Sequence, residues 1–327
     1  MLESTTKHGN DLKSKSIYIT QPNFYLRRGY GKIISYLTII IFFLFAPEIG
    51  KMLWPKTLFK NLRLFNYLSI LITHHSIFIF CNFILFFVYI SEIPFLERYK
   101  IHNEIWPWKK DKEEWRKLLK ETIFYLFINQ YIVSSLAGLI VFIREKPIIK
   151  MDYNQLPNWF ELLWQTIFLI ISEDFFFYWI HRILHIKQLY PYFHKIHHKY
   201  TNTIGISAEN AHPIEFLIGN AFPTHSGVLI LGNKIHLYTN ILWIIVRIIK
   251  TTEAHSGYDF SWSPFSQLPF FCCSDFHNFH HLKYKGNYGS FLTIWDNICG
   301  TVNNEYKVFK AKIKNFQIGI LNEEKMD

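Results

Sequence analysis

Two long stretches of the chain, Leu64 to Ser91 and Thr122 to Ile143, contain no Asp, Glu, Lys or Arg. Each reaches the roughly 20 residues that a helix needs to cross a bilayer core. Inside that core every backbone polar group must be satisfied within the segment, which leaves the α-helix as the natural solution. Composition agrees: half of the residues are hydrophobic, with 32 Phe, 19 Tyr and 10 Trp, too apolar for a simple cytosolic enzyme. The expected fold is therefore all-α, a multi-pass membrane helical bundle. Ile33 to Ala46 is shorter, and Leu162 to Ile180 is interrupted by Glu173 and Asp174, so neither need span by itself. Phe216 to Asn233 and Ile235 to Val246 are also apolar, and are expected to form a hairpin over 216–246 that dips into or crosses the membrane. The alternative for the shorter stretches is a buried helix of a soluble core.

The first 30 residues are polar and basic and lack an apolar core followed by a small-residue cleavage site, so no cleavable signal peptide is expected. Lys and Arg are enriched on the cytosolic side of membrane segments. The loop from Glu97 to Glu121 carries Arg98, Lys100, Lys109, Lys110, Lys112, Arg116, Lys117 and Lys120, which places it in the cytosol. If 122–143 then crosses outward and 162–180 returns, the residues after 180 emerge at the cytosolic membrane surface. The net charge of +10 is dispersed between apolar segments. It forms no basic arm for nucleic acid and suits anionic lipid headgroups instead. Four cysteines without a CxxC argue against a disulfide framework and a thiolate zinc site. No Gly/Ser-rich linker divides the chain. Its organisation reads as a cytosolic tail over 1–30, a transmembrane scaffold over 31–180, a chemical region over 181–301 and a polar tail over 302–327.

That chemical region holds ten of the sixteen histidines: His181 and His185; His194, His197 and His198; His212; His255; and His277, His280 and His281. Residues three and four apart share a helix face, so HRILH can present two imidazoles to one ion. At about 100° per residue, the last two histidines of HKIHH lie to either side of the first and can feed two neighbouring metals. HNFHH repeats the pattern. Neutral imidazole suits iron, zinc, copper or nickel, whereas calcium and magnesium want oxygen ligands. A binuclear iron site is the first expectation. Surface or satisfied core histidines are the bland alternative for any one box, but three boxes within about 100 residues argue for metal. His212 and His255 stand alone by spacing. His8, His74, His75, His102, His225 and His236 lack box spacing and read as structural.

The order HxxxH, HxxHH and a later HxxHH resembles the fatty acid hydroxylase/sterol desaturase superfamily of membrane di-iron enzymes. Within it the chain is most similar to the 4-methyl sterol oxidases. That likeness rests on LPNW at 156–159, Glu173-Asp174, AENAHPIE at 208–215, HSGYD at 255–259 and GNYGSFLTIWDNICGT at 286–301. The resemblance implies a cytosolic-face histidine-box site with two irons held by the ten histidines, in the endoplasmic reticulum membrane. It implies oxidation of an unactivated carbon–hydrogen bond with dioxygen. Electrons would come from NADH through a reductase and cytochrome b5, since the chain has no GxGxxG fingerprint of its own.

Asp174 and Glu209 are the candidate carboxylates behind the ligands, because ligating imidazoles usually donate their other nitrogen to a carboxylate or carbonyl. A helix-end or snorkelling acid is the alternative for each. Glu209-x-x-His212 also resembles half of the soluble carboxylate di-iron pattern, but no second ExxH exists. Two departures stand out. Where the subfamily usually has Arg-His-His-Asp before its last box, this chain has Asp275, Phe276, His277 and Asn278, and it ends in EEKMD without a dilysine signal. A sterol 5-desaturase or a fatty acid 2-hydroxylase would carry the same boxes. A metal transporter or storage protein would instead line a path through the membrane with ligands.

Overall fold

The computed structural model describes residues 28–57, 60–102, 104–143 and 148–312. Most of the expected N-terminal tail, the end of the polar tail with EEKMD, and His8 lie outside the described residues. Among the described residues all regular elements are helical, and strand-like pairing is confined to isolated bridges such as Lys100 with Tyr258. The main helices are α1 (Arg28–Leu53), α2 (Leu62–Ser91), α3 (Lys112–Phe127), α4 (Ser134–Ile143), α5 (Trp159–Leu184), α6 (Phe222–Leu231), α7 (Leu237–Ala254), α8 (Ser274–Lys283) and α9 (Ile294–Ile298).

Among the described residues, four helical segments are long and apolar enough to cross a membrane: Tyr30–Leu53, Leu62–Ser91, Lys112–Leu139 and Pro213–Lys234. The shortest has 22 residues, a length of about 33 Å against a hydrocarbon core of about 30 Å. Their outer faces are apolar, with Ile33, Ile40 and Leu44 of α1, Phe80, Phe83 and Phe87 of α2, and Ile123, Phe124 and Phe127 of α3 exposed. A surface so continuous in large apolar side chains suits lipid.

Helix boundaries move where capping outweighs hydropathy. Asp111 accepts hydrogen bonds from the backbone N–H groups of Glu113 and Glu114, so α3 begins ten residues before the uncharged stretch and takes Lys112, Arg116, Lys117 and Lys120 out of the basic loop. A π-helical turn, Ile128–Val133, joins α3 to α4. Ile33–Ala46 is likewise the middle of a longer helix. An Asn158/Glu161 capping box starts α5. The acidic pair does not break α5, because both side chains are buried against the loop that follows α8. Asp174 Oδ1 accepts the backbone N–H groups of Ser290, Phe291 and Leu292 at 3.1, 2.8 and 2.9 Å. Glu173 Oε1 accepts the Ser290 hydroxyl and lies 3.5 Å from Arg247 Nε.

Residues 216–246 do form a helical pair. A π-helical turn, Phe216–Ala221, leads into α6, Gly232 turns the chain at φ +54°, and His236 caps α7 by accepting the Tyr238 N–H. Gly227 allows α6 close to α5, since a Cβ there would fall 2.8 Å from Leu169 Cδ2, and Ser172 and Ser226 hydrogen bond across the same contact. α7 lies along α2 and buries Trp243, Ile244, Arg247 and Ile248. Its second half is thus an internal wall of the bundle.

Asp174→Ala would strand three buried N–H donors, each costing about 1–3 kcal/mol. Thermal unfolding of the detergent-solubilised protein should show a clear loss of stability for this variant and a smaller one for Asp174→Asn, whose amide oxygen still accepts. Unchanged unfolding of the alanine variant would contradict the anchoring role.

Candidate metal centre

Nine histidines converge from four places in the fold. His181 sits in the last turn of α5 and His185 at its C-cap, His194 ends a π-helical turn, and His197 and His198 open the 3₁₀ turn His197–Lys199. His255 is the C-cap of α7, and His277, His280 and His281 lie on α8. They form two sets, His181/His185/His194/His198/His280 and His197/His255/His277/His281, with the potential ligand nitrogens of each set within 4.8 Å of one another. The sets adjoin, with the His198 and His281 ring centroids 4.5 Å apart.

Each HxxHH box serves both sets. In HKIHH the outer pair, His194 and His198, enters the first set and His197 the second; in HNFHH the outer pair, His277 and His281, enters the second and His280 the first. This is the i,i+4 pair sharing a face, with its neighbour turned about 100° away. Nε2–Nε2 separations are 3.1 Å for His181–His194, 3.0 Å for His194–His198 and 3.1 Å for His185–His280 in the first set. They are 3.0 Å for His255–His277 and 3.3 Å for His197–His255 in the second.

The hydrogen bonds behind the rings test whether metal fits. His181, His255, His280 and His281 direct Nδ1 at the backbone carbonyls of Tyr288, Thr251, Gly286 and Tyr200, at 2.8 to 3.0 Å. His194 Nδ1 meets Glu215 Oε1 at 2.6 Å. A carbonyl only accepts, so in the first four rings Nδ1 carries the proton and an unprotonated Nε2 turns inward. His181 thus directs a lone pair at His194 Nε2, 3.1 Å away, a donor atom placed to face a shared cation. His281 Nε2 is buried without a hydrogen-bond partner. Burial pushes the His181 pKa to about 3 and that of His197 to about 4, and drives His198, His277, His280 and His281 well below the usual value. All are held neutral, as ligands must be. An all-imidazole donor set suits iron, zinc, copper or nickel.

The remaining expected site residues lie elsewhere. His212 belongs to neither set. It is half-buried, accepts the Ile214 N–H at the start of the short helix Pro213–Glu215, and packs edge-on against Phe193. Asp174 hydrogen bonds to no histidine; its Oδ1 accepts from the 290–292 backbone instead. It acts only by holding the loop that contains the Tyr288 carbonyl. Glu209 also misses both sets, accepting instead from His74 Nε2 and Gln130 Nε2, each at 2.9 Å. The carboxylate that does back a cluster histidine is Glu215. It closes the AHPIE segment, and the only sequence signal for it was an acid next to a singled-out histidine.

The two departures before the last box also resolve. Phe276 points away from the imidazoles and packs against Tyr306, with ring centroids 5.2 Å apart. Asn278 bridges His102 and Thr203.

A cavity of about 430 Å³ lies between α2, α4, α6 and α7, walled chiefly by apolar side chains such as Tyr67, Ile70, Ala137, Val228 and Ile248. Its size falls in the range of about 300–1,000 Å³ typical of small-molecule sites. A second hollow of about 40 Å³ is lined by His181, His194, His197, His255 and His277. Phe216, Asn220 and Arg247 line both. The hollow has room for only a few water-sized groups, on the order of two or three.

Buried neutral imidazoles facing one another within a bundle of membrane-length helices define a membrane histidine-box protein with side chains that could hold metal. The family model "Fatty acid hydroxylase" matches residues 166–301. Methylsterol monooxygenase 1 from Gallus gallus is 34% identical over 253 residues, 76% of this chain and 80% of the relative. The Rattus norvegicus protein of that name is 36% identical over 228 residues, 68% and 72% of the two chains. Very-long-chain aldehyde decarbonylase GL1-11 from Oryza sativa subsp. indica is 43% identical over 159 residues, 48% of this chain and 58% of the relative. No solved structure gives a significant match. The chain belongs to the fatty acid hydroxylase/sterol desaturase superfamily and is an oxygen-dependent oxidoreductase.

Replacing His198 with Ala removes a ligand nitrogen from the first set, and is expected to lower bound metal by about one ion per chain. His212→Ala should leave metal content unchanged. Metal analysis of the purified variants checks both, and an equal loss from the two would contradict the assignment of ligands.

Proposed function

We propose that this chain is a di-iron mixed-function oxidase that oxidises a sterol 4-methyl group. The observation that carries this reading is the pairing of an apolar cavity of about 430 Å³ with a hollow small enough to admit little more than a methyl group and dioxygen beside nine imidazoles. The family likeness to methylsterol monooxygenases, spanning most of both chains, supports it.

The balanced step takes R–CH₃, dioxygen, two electrons and two protons to R–CH₂OH and water. Bound iron would supply dioxygen activation for attack on an unactivated C–H bond. The two imidazole sets would hold the irons, with Glu215 and the carbonyls of Tyr288, Gly286, Tyr200 and Thr251 fixing ring direction. The apolar cavity seats the substrate body, and Phe216 with Asn220 narrows the way to the histidines. Excluding bulk water keeps the oxidising chemistry on the substrate. Repetition would carry the methyl carbon through alcohol and aldehyde towards carboxylate. NADH, acting through a reductase and cytochrome b5 on other proteins, is the proposed electron source. The proposed location is the endoplasmic reticulum membrane with the histidines towards the cytosol, because the basic residues between 97 and 121 favour that side. The match to an aldehyde decarbonylase over 159 residues favours one second reading, chemistry on a long-chain aldehyde.

Sterol and lipid profiling of cells lacking this protein separates the readings. The expected result is accumulation of 4-methyl or 4,4-dimethyl sterols, reversed by the intact chain and not by its His197→Ala or His198→Ala variants. Normal sterols with accumulated very-long-chain aldehydes, with lost 2-hydroxy lipids, or sterols lacking a ring double bond, would contradict it.

A further inference from the structure

Arg247 is 2% exposed, yet it lines both the apolar cavity and the hollow beside the histidines. Its Nε lies 3.5 Å from Glu173 Oε1, and its Nη1 has no hydrogen-bond partner. A guanidinium offers five N–H donors, and one carboxylate oxygen at that distance cannot satisfy them. A buried donor left unmatched is costly, and this one stands at the threshold between a lipid-sized space and the reaction space. The same threshold carries Asn220 and Phe216, neither of which is charged.

We propose that Arg247 is a specificity-determining anchor whose guanidinium holds an oxygen atom on the substrate, next to the carbon that reaches the histidines. The inference rests on the lipid-oxidase reading and narrows it. An oxygen on Arg247 is only a few bonds from the hollow, so the favoured substrates are lipids whose reacting carbon has an oxygen-bearing neighbour: a ring alcohol or ketone beside a methyl-bearing carbon, or a carboxylate beside its α-carbon. Lipids with an unsubstituted hydrocarbon at that place leave the guanidinium unmatched and are disfavoured.

Two pairs of probes test this with membranes containing the full chain and its electron donors. One pair is a 4,4-dimethyl sterol and its 3-deoxy counterpart; the other is a long-chain fatty acid and the alkane of equal length. KM and kcat are measured for the wild-type chain, for Arg247→Gln, and for E173Q/R247Q, which removes both buried charges and so avoids stranding Glu173. Equilibrium binding of each probe under argon is measured in parallel. Wild type should favour the oxygenated member of whichever pair it accepts by at least about tenfold in KM or binding, the scale of a charge-assisted hydrogen bond. Both variants should erase that preference by raising KM for the oxygenated probe while leaving the deoxy or alkane probe and kcat within a few-fold. A wild-type preference for the acid pair would overturn the sterol reading and uphold the anchor. Equal handling of both members by wild type, or equal weakening of both in the variants, would overturn the anchor itself.

Discussion

Hydrogen bonds from imidazole Nδ1 to backbone carbonyls set the direction of the whole site. Four rings are fixed this way with unprotonated Nε2 atoms turned into the cluster, and Glu215 holds a fifth. Those carbonyls belong to segments far apart in the chain: the loop after α8, the turn after His198, and the end of α7. The rings can converge only if these segments are placed accurately. The buried Asp174, which ties 290–292 to α5, is thus a condition of the metal centre although it touches no ligand. Membrane helices supply the rigid frame and the dry surroundings that keep nine imidazoles neutral.

The arrangement also divides labour between the outer faces of the helices and the interior of the bundle. Apolar outer faces of α1, α2 and α3 suit lipid, while α7 turns polar residues inward, bringing Arg247 to the cavity and both Arg247 and His255 to the hollow beside the histidines. The large cavity and the small hollow share only Phe216, Asn220 and Arg247 in their linings. Under the proposed function these three side chains would separate the substrate body from the histidines.

Much of this was legible in the residues themselves. Charge-free runs of bilayer length announced α2 and the α3–α4 segment, and the i,i+4 spacing in HKIHH and HNFHH announced two metal environments, because both signals are local. What depends on contacts between distant segments was not legible. Glu215 reaches His194 across 21 positions, and Glu209, the more conspicuous acid, is spent on His74 and Gln130. His212 has the right chemistry but caps a helix instead, whereas His255, equally isolated in sequence, enters the second set. Phe276, which stands where the subfamily usually has a histidine, packs its ring against Tyr306, a contact between segments 30 positions apart that local spacing does not show. Capping likewise moved the start of α3, since one Asp111 side chain outweighs the charge of the residues that follow.

Two adjoining sets of inward-facing imidazoles predict two metal ions, and the count of iron in fully active protein tests that most directly. Iron analysis of the purified chain, paired with its specific activity, should give two irons per chain with activity rising as both places fill. Full activity at a single metal ion per chain would contradict the account.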